Sequence, residues 1–281
     1  MTAPVVRFLG SKRVVMDSIL HHMPKKIDTF IEPFAGSASV SVALHAEGRA
    51  KRFILGDASP LIANLHAVLA DPCLFADVCG ELTQLVEQYE HADAPKQEEL
   101  FYAARRLLNT QSVSATSKAA FLIFLNHTTY NGLMRVNSAG LFNSPWGKRA
   151  KAGGCVMKLE GCREFYKRVL TLSCEGMDFE SFFDKVLVYM DSGAVVYCDP
   201  PYCGTFDGYT TAKFSADDHA RLAIACGYLR DISVPVFISN SDTPEVRKLY
   251  EDFTIVPILG RSCVSQDSDE RGAVKELLIY G

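Results

Sequence analysis

Asp28-Thr-Phe-Ile-Glu32, running into Pro33-Phe34-Ala-Gly36-Ser37, and then Arg52-Phe-Ile-Leu55-Gly56-Asp57, decide the fold. The first five residues form a short, mostly apolar run that predicts a strand. A turn at Gly36 follows, and apolar side chains recur at helical spacing through Val40, Ala43 and Leu44 until Gly48 stops them. Arg52 to Leu55 predicts a second strand, ended by Gly56-Asp57. Pro60 opens a second helix at the first-turn position, where its missing N–H is tolerated. Strand, helix, strand, helix is the pattern of a parallel sheet with crossover helices.

Beyond Pro72 the alternation gives way to helical segments, among them Lys96 to Leu108 and Lys118 to Leu125. A Gly- and Asn-rich stretch follows from Asn131 to Gly154. The region up to Glu164 reads as an inserted, mostly helical subdomain. Strands are then predicted at Arg168 to Cys174, Ala194 to Cys198, Val234 to Ser239, Thr254 to Leu259 and Val274 to Tyr280. Ser215 caps a helix running to about Leu229, with Asp217 and Asp218 in its first turn, where acids are favoured. Thr243 starts another. The last two strands have no helix between them and predict an antiparallel hairpin. The expectation is an α/β fold: a mixed seven-stranded sheet with helices on both faces, plus the helical insertion with a β-hairpin turn at Asn137-Ser-Ala-Gly140.

The 281 residues suit one large domain or a domain with an insertion. A net charge of −4 argues weakly against nucleic acid, yet a local basic face remains compatible with it. Lys148, Arg149 and Lys151 form such a cluster, suited to phosphates. Nine cysteines, without a CxxC pair, suggest neither a metal site nor a disulfide framework. The N-terminus lacks the apolar core of a signal peptide, and no apolar run is long enough to span a bilayer. A cytoplasmic protein without membrane contact is expected.

Ligands of doubly wound sheets bind outside the carboxyl ends of the strands. The turn after Glu32 and the acid Asp57 both lie at such ends. Gly36 lets the backbone approach a ligand closely, and Asp57 can accept hydrogen bonds from ribose hydroxyls. Because the turn is not GxGxxG, a nucleoside without phosphates fits better than a dinucleotide. A plain tight turn and a solvated strand end explain these residues equally well.

Ala194-Val-Val-Tyr-Cys-Asp199-Pro200-Pro201-Tyr202 is the strongest chemical signal. An apolar strand delivers an acid, two prolines and an aromatic ring. The prolines fix φ and lack N–H donors, so the turn is rigid. It can hold two acceptors, the Asp199 carboxylate and the Pro200 carbonyl, at a spacing that suits an exocyclic amine. Accepting both N–H groups localises the nitrogen lone pair for attack on a methyl sulfonium, and the Tyr202 ring offers a face for a flipped base. The alternative is a proline pair that merely ends a buried strand.

Asp199-Pro-Pro-Tyr202, taken with Glu32-Pro-Phe-Ala-Gly36, resembles the amino-methyltransferases of DNA, and closely the DNA adenine methylase group, over nearly the whole chain. The resemblance implies a class I, Rossmann-like methyltransferase fold, S-adenosylmethionine as methyl donor, and transfer to N6 of a flipped adenine in a GATC-like site of double-stranded DNA. Arg7-Phe8-Leu-Gly-Ser-Lys12 is similar to the group's N-terminal cofactor motif, which implies that Phe8 and Lys12 contact the cofactor. Asp57 matches its ribose-binding acid, and Met177-Asp178-Phe179 the segment that recognises the cofactor's adenine. Glu32, Phe34, Gly36 and Asp199 complete the implied cofactor set.

Phe124-Leu-Asn126 through Tyr130-Asn131-Gly-Leu133-Met-Arg135-Val-Asn137, with Phe142-Asn-Ser-Pro145-Trp-Gly147, is similar in order and spacing to the group's DNA-reading segment. By that resemblance Tyr130 wedges into the duplex and Arg135 reads a guanine. Leu133 and Pro145 touch a thymine methyl, and Asn131 and Asn137 join the DNA contacts. Arg7, where the group usually has lysine, contacts the target. Two further departures are Ala38, where a second glycine is usual, and the loop Cys203 to Thr211. The implied division is 1–74 with 165–281 as catalytic domain and 75–164 as target-recognition subdomain, in a monomer with no obligate protein partner. Readings that compete are transfer to cytosine N4 or a protein glutamine, where serine or asparagine commonly replaces the aspartate, and a catalytically impaired DNA-binding module.

Overall fold

The computed structural model describes residues 3–8, 12–110, 112–170, 177–190, 193–202, 214–261 and 273–281. The loop Cys203 to Thr211 and the end of the strand expected up to Cys174 lie outside them. Seven strands form one sheet: β1 (Ile27–Glu32), β2 (Ala50–Leu55), β3 (Val169–Leu170), β4 (Ala194–Cys198), β5 (Val236–Ser241), β6 (Thr254–Arg261) and β7 (Ala273–Tyr280), in the order β3-β2-β1-β4-β5-β7-β6. The first five pair in parallel, and β7 runs antiparallel between β5 and β6. The sheet is therefore mixed, with the terminal hairpin at one edge.

All five residues of β4 are buried, as expected of a parallel strand covered on both faces. Side chains alternate between the two faces. Phe30, Phe53 and Tyr197 enter one core, while Ile31, Ile54, Val196 and Cys198 enter the other. The first core is covered by α1 (Met16–His22), α2 (Ser39–Ala46), α3 (Pro60–Ala70) and, continuous with them, α4 (Pro72–Glu90), α5 (Ala94–Leu108), α6 (Ala115–Thr128), α7 (Gly154–Gly161) and α8 (Arg163–Tyr166). The second is covered by α9 (Phe179–Val186), α10 (Ala216–Asp231) and α11 (Pro244–Leu249). No single helix among the described residues is long and apolar enough to cross a membrane.

Several ends follow from local chemistry. The Ser215 side chain accepts from the Asp218 N–H while Asp218 takes the Ser215 N–H, a reciprocal cap for α10. The strand expected from Val234 begins two residues later. The Val234 N–H closes α10 on the Leu229 carbonyl, and Pro235 has no donor, so the ladder starts where the Val236 N–H meets the Gly281 carbonyl.

The strand order reverses direction between β1 and β4, which pair through Thr29 with Ala194, Phe30 with Val195 and Ile31 with Val196. That register brings the turn after Glu32 and the corner at Asp199 side by side at the topological switch point, where such sheets bind ligands.

Candidate active site

The Gly36 turn is held from three sides. Gly36 has φ +47°, a left-handed conformation that suits glycine. Its N–H donates to Asp57 Oδ2 at 2.8 Å, and the other oxygen of that carboxylate takes the Ser59 N–H at 2.8 Å. Its carbonyl faces His66 Nε2 at 3.0 Å, and the Phe8 ring lies over its α-carbon. Each oxygen of Asp57 keeps a second lone pair, enough for two ribose hydroxyls. Burial pushes the Asp57 carboxyl up to about 6. Ala38 also has positive φ, +54°, with its methyl fully buried.

Glu32, at the end of β1, is 2% exposed and accepts from the Ser41 hydroxyl at the start of α2. Burial pushes its carboxyl up to about 8, helped by the charges of Asp199 and Asp57. It shapes the turn from beneath rather than facing open solvent.

At the end of β4 the Asp199 carboxylate keeps 23% exposure and pairs with Lys12 Nζ at 2.9 Å. Lys12 is itself 2% exposed, lies 4.7 Å from the centre of the Tyr202 ring, and is 4.0 Å from Glu276 Oε1. Burial raises the Asp199 carboxyl, and the Lys12 ammonium pulls it back down. Glu276 is raised by burial, with Lys12 opposing, and its carboxyl faces the Tyr202 hydroxyl. The result is a partly exposed acid at a rigid corner, with one carboxylate oxygen anchored by a cation.

Beside this corner stands an aromatic group. Phe34 and Phe179 have ring centres 5.8 Å apart, and Phe214 stands 5.8 Å and 5.9 Å from them. Arg221 on α10 stacks over Phe179 and pairs with Asp178, Glu180 and Asp218. Asp178 is thus tethered at the mouth of this group by a neighbouring helix.

The second surface of interest leaves α6 at Thr128. The Tyr130 N–H bonds the Pro145 carbonyl and the Gly147 N–H bonds the Thr128 carbonyl, so 129–132 and 145–147 run side by side. A Cβ at Gly147 would stand 2.5 Å from the Thr129 carbonyl, so glycine is required for this approach. Between them the chain reverses at Asn137, whose Oδ1 accepts from the Ala139 and Leu141 N–H groups. Ser144 braces the loop: its hydroxyl donates to the Leu133 carbonyl and accepts from the Arg135 N–H. Tyr130 is 60% exposed. Asn131, Arg135, Asn137 and Pro145 are exposed too, and Leu133 is half-buried. Arg7 is brought to the same surface by Asn126, a buried amide that accepts from the Arg7 N–H at 2.8 Å and donates to its carbonyl at 2.9 Å.

Sequence comparison assigns the chain to a family. The family model for the D12 class of N6 adenine-specific DNA methyltransferases matches residues 8–261. The chain belongs to that class. Among curated proteins, this methyltransferase is similar to the retron Ec67 DNA adenine methylase of Escherichia coli, 30% identical over 98% of this chain and 90% of that protein. It is 30% identical to the type II methyltransferase M.MjaIII of Methanocaldococcus jannaschii, over 98% of each chain. It is 31% identical to the DNA adenine methylase of Serratia marcescens, over 97% and 96%.

The expected residues of the methyltransferase therefore fall in two places. Phe8, Lys12, Glu32, Phe34, Gly36, Asp57, Asp178, Phe179, Asp199, Pro200, Pro201 and Tyr202 lie along the carboxyl edge of the sheet. Arg7, Tyr130, Asn131, Leu133, Arg135, Asn137 and Pro145 lie on the segment beyond α6 or against it. Sequence reasoning missed Glu276, Phe214, Arg221 and His66. An acid beside Lys275 in the otherwise apolar β7 was the one available hint of Glu276.

Proposed function

We propose that the protein transfers the methyl group of S-adenosylmethionine to N6 of an adenine rotated out of duplex DNA, within a GATC-like site. Support comes first from Asp199, an acceptor at the end of a wholly buried strand, fixed by two prolines and by Lys12. S-adenosylmethionine supplies an electrophilic methyl sulfonium when bound. Asp57 would receive its ribose hydroxyls, Phe34 and Phe179 its adenine, with Asp178 and Phe8 at the margins.

Asp199 Oδ2 and the Pro200 carbonyl would accept the two N–H groups of the target amine. Doing so localises the nitrogen lone pair toward the methyl carbon and places negative charge where positive charge develops. Holding both reactants in line removes much of the entropic barrier. Tyr202 would stack on the extruded base, offsetting part of the few kcal/mol that flipping costs.

On the DNA side, residues 75–164 would act as target-recognition subdomain, with 1–74 and 165–281 as catalytic domain of a monomer. Exposed Tyr130 would fill the gap left by the base. Arg135 would read a guanine, and Leu133 and Pro145 would contact a thymine methyl. Asn131 and Arg7 would complete the target contacts. Incubating the protein with duplex DNA and labelled S-adenosylmethionine, then hydrolysing the DNA, tests the reading. Label in N6-methyladenine within one short sequence is the expected result; label in N4-methylcytosine or none at all contradicts it.

A further inference from the structure

His66 is a buried titratable side chain on α3, 3% exposed, with no part in the chemistry so far. Both ring nitrogens are engaged. Nε2 stands 3.0 Å from the Gly36 carbonyl and Nδ1 stands 3.1 Å from the Tyr166 hydroxyl. A carbonyl oxygen only accepts, so Nε2 must carry the hydrogen. Burial holds the ring neutral, its pKa pushed down to about 4, so Nδ1 is the acceptor and takes the Tyr166 O–H. The tautomer is set by its partners. The chain of donors runs Tyr166 O–H to His66, and His66 N–H to Gly36.

The Gly36 peptide is therefore fixed at both ends: its N–H by Asp57, its carbonyl by His66. We infer that His66 is a positioning residue for the methyl donor, which orients the Gly36 turn through a hydrogen-bond relay anchored on Tyr166. Tyr166 lies at the end of α8, where the chain leaves the helical region and enters β3. The inference rests on the proposed reading of the Gly36 turn as part of the donor site. Any buried histidine needs its ring nitrogens paired; what singles out His66 is the partner it holds, the carbonyl of the Gly36 turn itself.

The test measures dissociation constants for S-adenosylmethionine and for duplex DNA, with kcat at saturating donor, in His66→Leu, His66→Gln, Tyr166→Phe and Asp57→Ala. His66→Leu should weaken donor binding by up to about tenfold, the upper range for losing one hydrogen-bond partner, with DNA affinity and kcat within about twofold of wild type. His66→Gln keeps a donor near the Nε2 position and should recover most of that loss. Tyr166→Phe should weaken donor binding about threefold. Wild-type donor affinity in His66→Leu, with Asp57→Ala impaired, overturns the relay alone. Wild-type affinity in both overturns the donor-site reading and the relay with it. Parallel losses of donor and DNA binding, or no rescue by glutamine, also overturn the relay by making His66 a packing residue. If His66→Leu does not fold, Tyr166→Phe decides: unchanged donor affinity there refutes the inference.

Discussion

Lys12 Nζ lies 2.9 Å from Asp199 Oδ1, joining the N-terminal segment to the proline corner at the end of β4. A cation only 2% exposed beside this acid opposes the rise that burial imposes on its carboxyl. An ionised Asp199 accepts hydrogen bonds with both oxygens, whereas a protonated one would offer a donor to an amine that needs acceptors.

Replacing Lys12 by methionine should raise the Asp199 pKa, since its opposing cation is gone. The carboxylate is the working form, so the rate then fails at higher pH than in wild type. The acid limb of the pH profile for single-turnover methyl transfer should move up by roughly 1–3 pH units, the span an adjacent opposite charge commands. Donor affinity, measured separately, isolates any loss of cofactor contact. An unmoved acid limb would show that Lys12 does not set the state of Asp199.

Donor binding should itself depend on pH through Asp57. Burial raises its carboxyl to about 6 in the free protein. Ribose hydroxyls favour the ionised form, so the affinity is full above about pH 6 and falls as pH drops below it, approaching about one log unit per pH unit. Calorimetric titration from pH 5 to 8 checks this. Asp57→Asn should bind more weakly and lose that slope.

Ala38 occupies a position where glycine would be unstrained, with φ +54°. Relief of left-handed strain by Ala38→Gly is worth about 1–2 kcal/mol. Loss of a buried methyl costs about 0.8 kcal/mol and added freedom of the unfolded chain about 0.4–1 kcal/mol. These nearly cancel, so the glycine variant should unfold within about 1 kcal/mol of wild type. Ala38→Val adds a branched side chain where φ forbids it and should lose more than about 2 kcal/mol. Denaturant midpoints of the two variants provide the comparison.

On the segment beyond α6, proposed to meet DNA, Tyr130→Ala should weaken duplex binding by about 1–3 kcal/mol, the range for a stacking aromatic. Gly147→Ala should also weaken it, because its methyl would meet the Thr129 carbonyl at 2.5 Å and displace the loop that presents Tyr130. Both variants should keep wild-type affinity for S-adenosylmethionine, measured in the same preparations. Unchanged DNA affinity in both would move the interface elsewhere.

Legibility in the sequence followed the range of the forces involved. β4 was readable to the residue because five consecutive apolar side chains end at an acid and two prolines. The α10 cap was readable because Ser215 and Asp218 are three residues apart. The long-range parts were not. Glu276 reaches the site only because β7 inserts between β5 and β6 with Glu276 opposite Ser241, a register set by tertiary pairing. Lys12 could be matched to a cofactor motif, but its partner, 187 positions away, could not be read from spacing. His66 sits among apolar residues of α3, and nothing local distinguishes it from a histidine that merely fills the core. Arg221 pairs locally with Asp218 on its own helix, but its pairs with Asp178 and Glu180 at the start of α9 join elements that meet only in the fold.

The most direct test is single-turnover methyl transfer by Asp199→Ala, with donor and DNA affinities measured in the same protein. Loss of an acceptor that acts on the reacting amine should lower the rate by at least about 10²–10³-fold, while duplex affinity stays within a few fold. Methyl transfer at the wild-type rate would contradict the role given to the proline corner and its carboxylate.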